Sequence, residues 1–162
     1  MVERAAELKK EGMSDEEIVD ALKEFTNRIA VYFVVDDLMH LKRGGRLSGA
    51  AAVAGTVFNL KPVLTFDAEG GLSVIEKVVG KRKSMRKLAE KVAEGWTGKE
   101  YPIYIADADC PEDGKALADM IREKCPDAKI INQTIGPVIG SHCGPDTLAV
   151  SFIADKRPIP LK

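Results

Sequence analysis

The chain has 162 residues, 45% of them hydrophobic and 30% charged, which is enough for one globular domain with a substantial core. Its 24 basic and 25 acidic residues leave a formal net charge of -1, which argues against a general affinity for nucleic acid, because that requires excess positive charge. The three cysteines form no CxxC pair and the two histidines are far apart in sequence, so we expect neither a disulfide framework nor a metal site.

The N-terminal residues lack the apolar stretch of a signal peptide, and no uninterrupted apolar segment is long enough to span a bilayer. Unpaired cysteines fit a reducing compartment. We therefore predict a cytoplasmic protein without a transmembrane segment, and nothing in the sequence indicates a cofactor.

Residues 1–28 are predicted to form a helical connector. Scattered Ala and Leu among polar residues favour a short helix over residues 2–10, ended by Gly12. Ser14 then precedes Glu17 by three residues, which is the arrangement of a capping box. Apolar residues at helical spacing follow and predict a second, amphipathic helix.

The next segment alternates between strand and helix. Residues 29–35 are rich in Val, Ile and aromatic residues, which predicts a strand. The two aspartates that follow can cap a short helix, and the glycine pair at 44–45 ends it. Residues 47–60 are mainly Ala, Gly, Val and Thr with almost no charge, so we expect a buried helix there, capped by Ser48.

The remainder of the chain predicts a mixed sheet. Two strands joined by an Asp-Ala-Glu-Gly-Gly turn indicate a hairpin, and later strands alternate with helices. The strands are predicted at residues 61–66, 72–79, 101–106, 128–133 and 147–153, and the helices at 83–94 and 112–124. A hairpin within a βαβ-like series indicates an α/β (α+β) fold, with a mixed β-sheet of about five to six strands flanked by helices in a single domain over residues 29–162.

The first candidate functional segment is residues 41–49, where a glycine pair is accompanied by Lys42, Arg43 and Arg46 ahead of a predicted helix N-terminus. Backbone amides and positive charge could hold an anion there. A helix C-cap followed by a turn explains the same pattern, and spacing alone favours that explanation by a modest margin.

The second candidate segment is residues 135–146, which contain three glycines and two prolines. This composition predicts a rigid, sharply turned loop between two apolar strands. His142 lies within it, where the imidazole could donate a hydrogen bond to a ligand or carry charge beside an anion. A loop histidine bonded to a backbone carbonyl fits the sequence equally well.

Neighbouring features favour structural roles. Cys143 follows His142, but adjacent residues of an extended loop point apart and make a poor nucleophile–base pair. Asp107 and Asp109 end a predicted strand and could hold Mg²⁺, although such residues more often cap the next helix. The basic run at residues 81–87 is most simply a solvated helix start, and it could instead dock a partner.

Several of these motifs occur together, and in register, in a known family. They are FVVDDL at residues 33–38, LKRGGRLS at 41–48, LKPVL at 60–64 and IGPVIGSHCGP at 135–145. The combination resembles the DegV family. With the connector-like residues 5–19, the resemblance covers nearly the whole chain.

Members of that family have two lobes that enclose one long-chain fatty acid. Some are the binding subunit of a bacterial fatty acid kinase, and they present the carboxylate to a separate ATP-dependent subunit. The resemblance implies that this chain is the C-terminal lobe only, a lipid-binding protein and not an enzyme. It further implies that the small-residue helix over residues 50–58 lines or backs the acyl tunnel.

The resemblance also implies specific residues. The ligand-binding residues would be Gly45, Arg46, Ser48, Gly140, Ser141 and His142. The residues that dock a kinase subunit would be Arg43, Arg82 and Lys83. No catalytic residue, metal ligand or cofactor is implied.

Two other functions stay open from the sequence. One is a small-molecule enzyme that uses the Gly-Gly-Arg turn as an anion site and His142 as acid/base, although no second catalytic group stands beside the histidine. The other is an interaction domain that docks a partner through residues 81–87. For the carrier, one lobe supplies only part of an enclosure, so we expect the chain alone to bind fatty acid weakly or to form a homodimer through an exposed apolar face.

Overall fold

The computed structural model describes residues 1–46 and 59–161, and six helices and six strands lie within those ranges. The predicted helix over residues 47–60, including Ser48, falls almost entirely outside the described residues. In chain order the elements are α1 (Val2–Lys10), α2 (Asp15–Thr26), β1 (Ile29–Val34), α3 (Leu38–Arg43), β2 (Val63–Phe66), β3 (Leu72–Glu76), α4 (Lys81–Gly95), β4 (Ile103–Asp107), α5 (Pro111–Lys124), β5 (Ile130–Thr134), α6 (Pro137–Cys143) and β6 (Leu148–Ile153). None of the helices in the described ranges is long and apolar enough to cross a membrane.

The six strands form one mixed sheet in the order β3-β2-β1-β6-β4-β5, which confirms the predicted fold class. All neighbouring strands are antiparallel except β4 and β5, which are parallel and connected through α5. The hairpin of β2 and β3 turns where the sequence predicted it, with Asp67 N–H bonded to Gly71 O at 2.9 Å and Gly70 at a φ of 82°.

One face of the sheet is closed by α4 and α5. Alternate residues of the central strands point to that side, as the period of a strand requires, and meet the apolar faces of the two helices. Fully buried side chains at this interface include Leu88, Val92, Ile105, Leu117, Ile121, Leu148 and Val150. This layer is the main hydrophobic core.

The opposite face of the sheet is only partly covered. A smaller buried cluster joins α3 and α6 to the sheet at one end, and it consists of Phe33, Val35, Leu41, Leu64, Leu72 and Cys143. Helix α1 lies at the other end, where the Tyr104 hydroxyl on β4 donates a hydrogen bond to Glu3 at 3.0 Å. Between these two ends, no helix or strand of residues 1–46 and 59–161 covers the sheet surface.

The α1–α2 hairpin forms as the sequence predicted. Ser14 Oγ accepts from Glu17 N–H and Glu17 accepts from Ser14 N–H, which completes the capping box. Phe25 of α2 packs edge-on against Tyr101, with ring centroids 5.2 Å apart. Helices α1 and α2 are therefore held against the end of the sheet.

The prediction of a sharply turned loop over residues 135–146 is wrong for its central part, because Pro137–Cys143 forms α6. Pro137 occupies the first turn, where its missing N–H costs no hydrogen bond, and Gly144 ends the helix with a φ of 81°. The same glycine and proline residues that suggested a turn are helix start and stop signals here.

Candidate functional site

The candidate site is a groove of about 680 Å³ on the open face of the sheet. Its floor comes from the outward-facing residues of the central strands, and α3 and α6 form its wall at one end. The apolar lining residues include Val31, Phe33, Leu41, Phe66, Leu72, Ala106, Ile135, Val138, Ile139, Cys143 and Ala149. The polar lining side chains include Arg46 and His142 at the helical end and Tyr104, Gln133 and Ser151 farther along the sheet.

His142 lies in the last turn of α6, half-buried, and it lines the groove. A side-chain carbon at Gly44 would lie 3.4 Å from Nδ1 of His142, so the ring rests against the backbone at the end of α3. Among the described residues no hydrogen-bond partner of the imidazole is found. The ring is thus positioned by packing, and its polar atoms are available to a ligand.

Arg46 follows α3 and also lines the groove. Its position results from a Schellman cap, in which Arg46 N–H bonds to Leu41 O at 2.9 Å and Gly45 N–H to Lys42 O at 3.0 Å. The cap requires a φ of 71° at Gly45, which glycine adopts without strain. The glycine pair is therefore a helix C-cap, and the cap brings a guanidinium to the same end of the groove as His142.

His40 of α3 is a functional-site neighbour that the sequence reasoning did not identify. Its Nε2 lies 2.8 Å from the carbonyl oxygen of Ser141, and since a carbonyl only accepts, Nε2 carries the proton of this bond. The bond connects α3 to α6. No sequence signal pointed to this pairing, because the two residues are 101 positions apart.

The structure does not place the other predicted ligand-binding residues in the lining of the groove. Ser141 is exposed, and its Oγ donates to Val138 O at 2.8 Å within α6. Gly140 belongs to the backbone of α6, where its N–H bonds to Gly136 O. Gly45 shapes the turn before Arg46, and none of these three is among the groove-lining residues of the described ranges. Ser48 lies outside those ranges.

The three predicted docking residues are divided between the two faces of the sheet. Arg43 is on α3, on the groove side, and its Nη2 pairs with Asp37 at 3.1 Å, at the N-cap of the same helix. Arg82 and Lys83 are exposed in the first turn of α4, which packs on the closed face.

Lys81, the first residue of the basic run, is not a freely solvated charge. Its ammonium binds Asp113 of α5 and, at 2.8 Å, Asp146 of the segment before β6. Burial lowers the pKa of Lys81, but the hydrogen bonds and charges of the two aspartates outweigh burial and raise it above its ordinary value. Lys81 thus joins α4, α5 and the α6–β6 connection.

Cys110, Asp113 and Asp146 offer ligand atoms within 4.8 Å of one another, a spacing that could suit a metal. The Lys81 ammonium pairs with both carboxylates, and burial raises the pKa of the Cys110 thiol to about 11. This cluster is therefore a structural ion-pair network. The prediction that Asp107 and Asp109 cap the next helix is wrong, because the N-cap of α5 is Cys110 and no side chain caps it; Asp107 instead accepts from Cys110 N–H at 3.1 Å.

Cys143 is buried in the smaller core cluster. Its sulfur faces the carbonyl oxygens of Gly140 at 3.9 Å and Gly144 at 3.7 Å. Because neighbouring residues of a helix project about 100° apart, Cys143 and His142 do not form a nucleophile–base pair. The prediction that these two residues lie in an extended loop is wrong, because they lie in α6, but the helix also keeps their side chains apart.

Two large apolar side chains on α6 are unusually accessible. Val138 is 73% exposed and Ile139 is 61% exposed, although both line the groove. Exposed apolar side chains beside an apolar groove are typical of a binding surface. A Pro-Val-Ile sequence at the start of a short helix is the signal that could have revealed them.

Comparison with known proteins identifies the family. The sequence profile of the DegV family, described as uncharacterised proteins, matches residues 1–155. A DegV domain-containing protein of Clostridium perfringens is 43% identical over 158 residues, which cover 97% of this chain and 54% of that protein. The chain thus spans about half the length of the curated relatives it matches.

Solved structures that resemble this chain belong to the same family. A fatty acid binding DegV family protein from Streptococcus agalactiae matches with a TM-score of 0.86 and 32% identity, covering 96% of this chain and 55% of that one. A DegV family protein from Thermus thermophilus, whose structure concerns fatty acid binding, matches with a TM-score of 0.79 and 33% identity, covering 94% and 55%. With its sequence matched over residues 1–155 and its mixed sheet shared with these structures, the chain belongs to the DegV family.

Proposed function

We propose that this chain forms one wall of a binding site for a long-chain fatty acid. The observation that carries the proposal is the apolar groove on the open face of the sheet, which ends at His142 and Arg46. The apolar lining suits the acyl chain of a fatty acid, and the polar groups at one end suit its carboxylate.

The acyl chain would gain its free energy from the groove floor. Each buried methylene contributes about 0.8 kcal/mol, so a long chain covered along the whole groove could contribute on the order of 10 kcal/mol before ordering costs. The groove is open on one side, which leaves part of such a chain in water. The chain alone is therefore expected to bind a fatty acid weakly.

The carboxylate would lie at the helical end. A carboxylate is costly to bury unless it meets donors or a cation, and Arg46 and His142 can supply both. Arg46 donates to Gly44 O at 2.6 Å through Nη1, so its remaining N–H groups could reach a ligand. Ser48 stays a predicted contributor from the resemblance to the family.

The similarity to proteins described as binding fatty acids supports this assignment at 32% and 33% identity. We further propose that residues 29–162 act as the C-terminal lobe of a two-lobed carrier, with residues 1–28 as the connector. In this proposal a second lobe covers the groove and completes the enclosure. The cytoplasm would be its compartment.

A finer role is presentation of the carboxylate to a separate kinase subunit, for which Arg43, Arg82 and Lys83 are the proposed docking residues. Arg43 lies on the groove side near the proposed carboxylate position, whereas Arg82 and Lys83 are exposed on α4. A kinase that contacts all three would have to reach around the edge of the sheet.

The enzyme alternative receives less support. It requires an anion site at the Gly-Gly-Arg turn and a second group that works with His142. In residues 1–46 and 59–161 the glycine pair serves as a helix cap, and no carboxylate, hydroxyl or thiol is hydrogen bonded to His142. We therefore keep the carrier as the proposed function.

The direct test is titration of the purified chain with palmitate and, separately, with hexadecanol, which has the same tail and no carboxylate. We expect palmitate to bind more tightly than the alcohol. His142→Ala should weaken palmitate binding about tenfold or more and leave alcohol binding unchanged, because a hydrogen bond to a charged group is worth about 1.5–3 kcal/mol.

Ser73→Ala is the matched control, because Ser73 lies on β3 and is not among the groove-lining residues. It should bind palmitate as the unmodified chain does. Native mass spectrometry of protein purified from bacteria separates the two functions: copurified fatty acid supports the carrier, and a bound phosphorylated metabolite would contradict it.

A further inference from the structure

A second cavity continues from the groove toward the N-terminal helix. It has a volume of about 420 Å³ and lies between α1, α2 and the end of the sheet. Apart from the first residues of the chain, its lining includes Phe25, Ile29, Tyr101, Pro102, Phe152 and Ile153. This cavity lies at the opposite end of the open sheet face from His142.

Three side chains line both the groove and this second cavity, namely Tyr104, Gln133 and Ser151. Tyr104 and Ser151 are paired neighbours in the register of β4 and β6. Their side chains therefore lie next to each other on the same face, since paired residues of neighbouring strands project together. The two hollows meet at this point.

Tyr104 also makes a hydrogen bond at this junction. Its hydroxyl donates to a carboxylate oxygen of Glu3 at 3.0 Å, which connects β4 to α1 across the passage. Burial and the bond to Glu3 raise the pKa of Tyr104, so the phenol stays protonated and remains a donor at neutral pH. Removing either partner releases the contact without disturbing the main core, which lies on the other face of the sheet.

We propose that Tyr104 and Glu3 form a gate that sets the longest acyl chain the site accepts, with the second cavity as an extension for longer chains. The proposal rests on the proposed fatty acid site. The central strands have five or six residues, so the sheet extends for roughly 17–20 Å along them, and Tyr104 lies near the end of β4 that is remote from α6. A tail that enters from the His142 end and follows the strands reaches Tyr104.

The experiment measures dissociation constants of the chain for palmitate, stearate, arachidate and behenate. Each added pair of methylenes strengthens binding about tenfold while both groups are buried, and adds little once the tail leaves the groove. The unmodified chain should therefore show affinity that rises with length and then levels off. Glu3→Ala and Tyr104→Ala should each move that plateau to a longer acid, with a gain of about tenfold for that acid relative to palmitate.

Tyr32→Phe is the matched control. Tyr32 is on the other face of the sheet, where its ring stacks with Phe152 at 6.1 Å, and its variant should keep the original plateau. Glu3→Ala tests the same contact if Tyr104→Ala fails to fold, because Glu3 is exposed on α1 and its replacement leaves the core intact. If both variants still bind palmitate and their affinity levels off at the same acyl length as in the unmodified chain, the gate is wrong and the proposed function stands. Failure of the unmodified chain to bind any of the acids would overturn the gate together with the proposed function.

Discussion

His40 and Gly144 are in direct packing contact: a side-chain carbon at position 144 would lie 3.0 Å from Cγ of the His40 ring. The arrangement is reciprocal, because His142 rests in the same way against Gly44. Each histidine thus occupies space left by a glycine at the end of the other helix. The hydrogen bond from His40 Nε2 to Ser141 O completes the junction of α3 and α6. This junction fixes where His142 faces the groove.

Gly144→Ala should therefore disturb the site more than Gly45→Ala. Both positions have positive φ, at 81° and 71°, so both substitutions introduce backbone strain. Only at Gly144 does the new methyl group also meet the His40 ring, whereas nothing lies within 4 Å at Gly45. We expect Gly45→Ala to cost about 1 kcal/mol of unfolding free energy and Gly144→Ala about 2–3 kcal/mol.

Urea unfolding measures these free energies, and palmitate titration measures the consequence for the site. Gly144→Ala should lower palmitate affinity more than Gly45→Ala, which acts on the site only through the position of Arg46. Equal losses of stability in the two variants would show that the contact with His40 has no energetic weight.

Lys81→Met should destabilise the fold by about 1–2 kcal/mol. The substitution leaves Asp113 and Asp146 without their shared cation, and partly exposed ion pairs are worth up to about 1 kcal/mol each. The folded pKa of Lys81 is raised, so its stabilisation is fully present below the unfolded lysine pKa of about 10.4 and is lost as the pH rises through the folded value.

The difference in unfolding free energy between the unmodified chain and Lys81→Met should accordingly shrink only in strongly alkaline solution. Urea unfolding near neutral pH and above about pH 11 compares the two conditions. Lys91→Met is a matched control, because among the residues that the structure describes Lys91 pairs with Glu94 alone, in the next turn of α4 at 3.2 Å. If Lys81→Met and the unmodified chain have the same unfolding free energy near neutral pH, the ion pairs of Lys81 do not stabilise the fold.

Cys110 should resist alkylation in the folded protein. Burial raises the pKa of its thiol to about 11, so at a pH where an ordinary cysteine of pKa about 8.5 is half ionised, Cys110 remains almost entirely protonated. Treatment with iodoacetamide followed by peptide mass spectrometry gives the labelling rate. The rate should rise sharply in urea, and rapid labelling of Cys110 without denaturant would refute the expectation.

Val138→Asp and Ile139→Asp should reduce self-association of the chain. Both side chains are apolar, exposed and beside the groove, and we proposed that an uncovered groove face promotes dimerisation. Sedimentation equilibrium over a range of concentrations gives the association constant. Ile75→Asp, on the edge strand and outside the groove wall, is the control for added charge.

If the chain stays monomeric at high protein concentration before any substitution, the dimer proposal is wrong. If Ile75→Asp lowers the association constant as much as Val138→Asp does, the interface lies at the sheet edge and not at the groove.

Much of the fold was predictable because local patterns and tertiary packing agree. Alternating apolar residues located every strand to within a few positions, and the capping box at Ser14 and the Asp37 cap marked helix starts that the structure confirms. The boundary errors have simple causes. The predicted strand over residues 72–79 stops at Glu76, and its last part forms only an isolated bridge between Leu60 and Val79.

The candidate site was predictable only in part. His142 and Arg46 were identified from glycine-rich motifs and do lie at one end of a groove, while their role in binding stays a prediction. The helix over Pro137–Cys143 was mistaken for a loop because its glycines and prolines were interpreted as turn residues. His40 was overlooked since no local pattern connects it to a segment a hundred residues away.

The sequence by itself determined the element types, the mixed character of the sheet and the family, because hydrophobic period, caps and glycine positions are local properties of the chain. The tertiary structure alone decided which sheet face the described helices leave uncovered, that His40 and His142 each pack against a glycine of the other helix end, and that Lys81 is paired. Which residues face each other across the sheet depends on strand order and register, and these are set by packing of the whole domain.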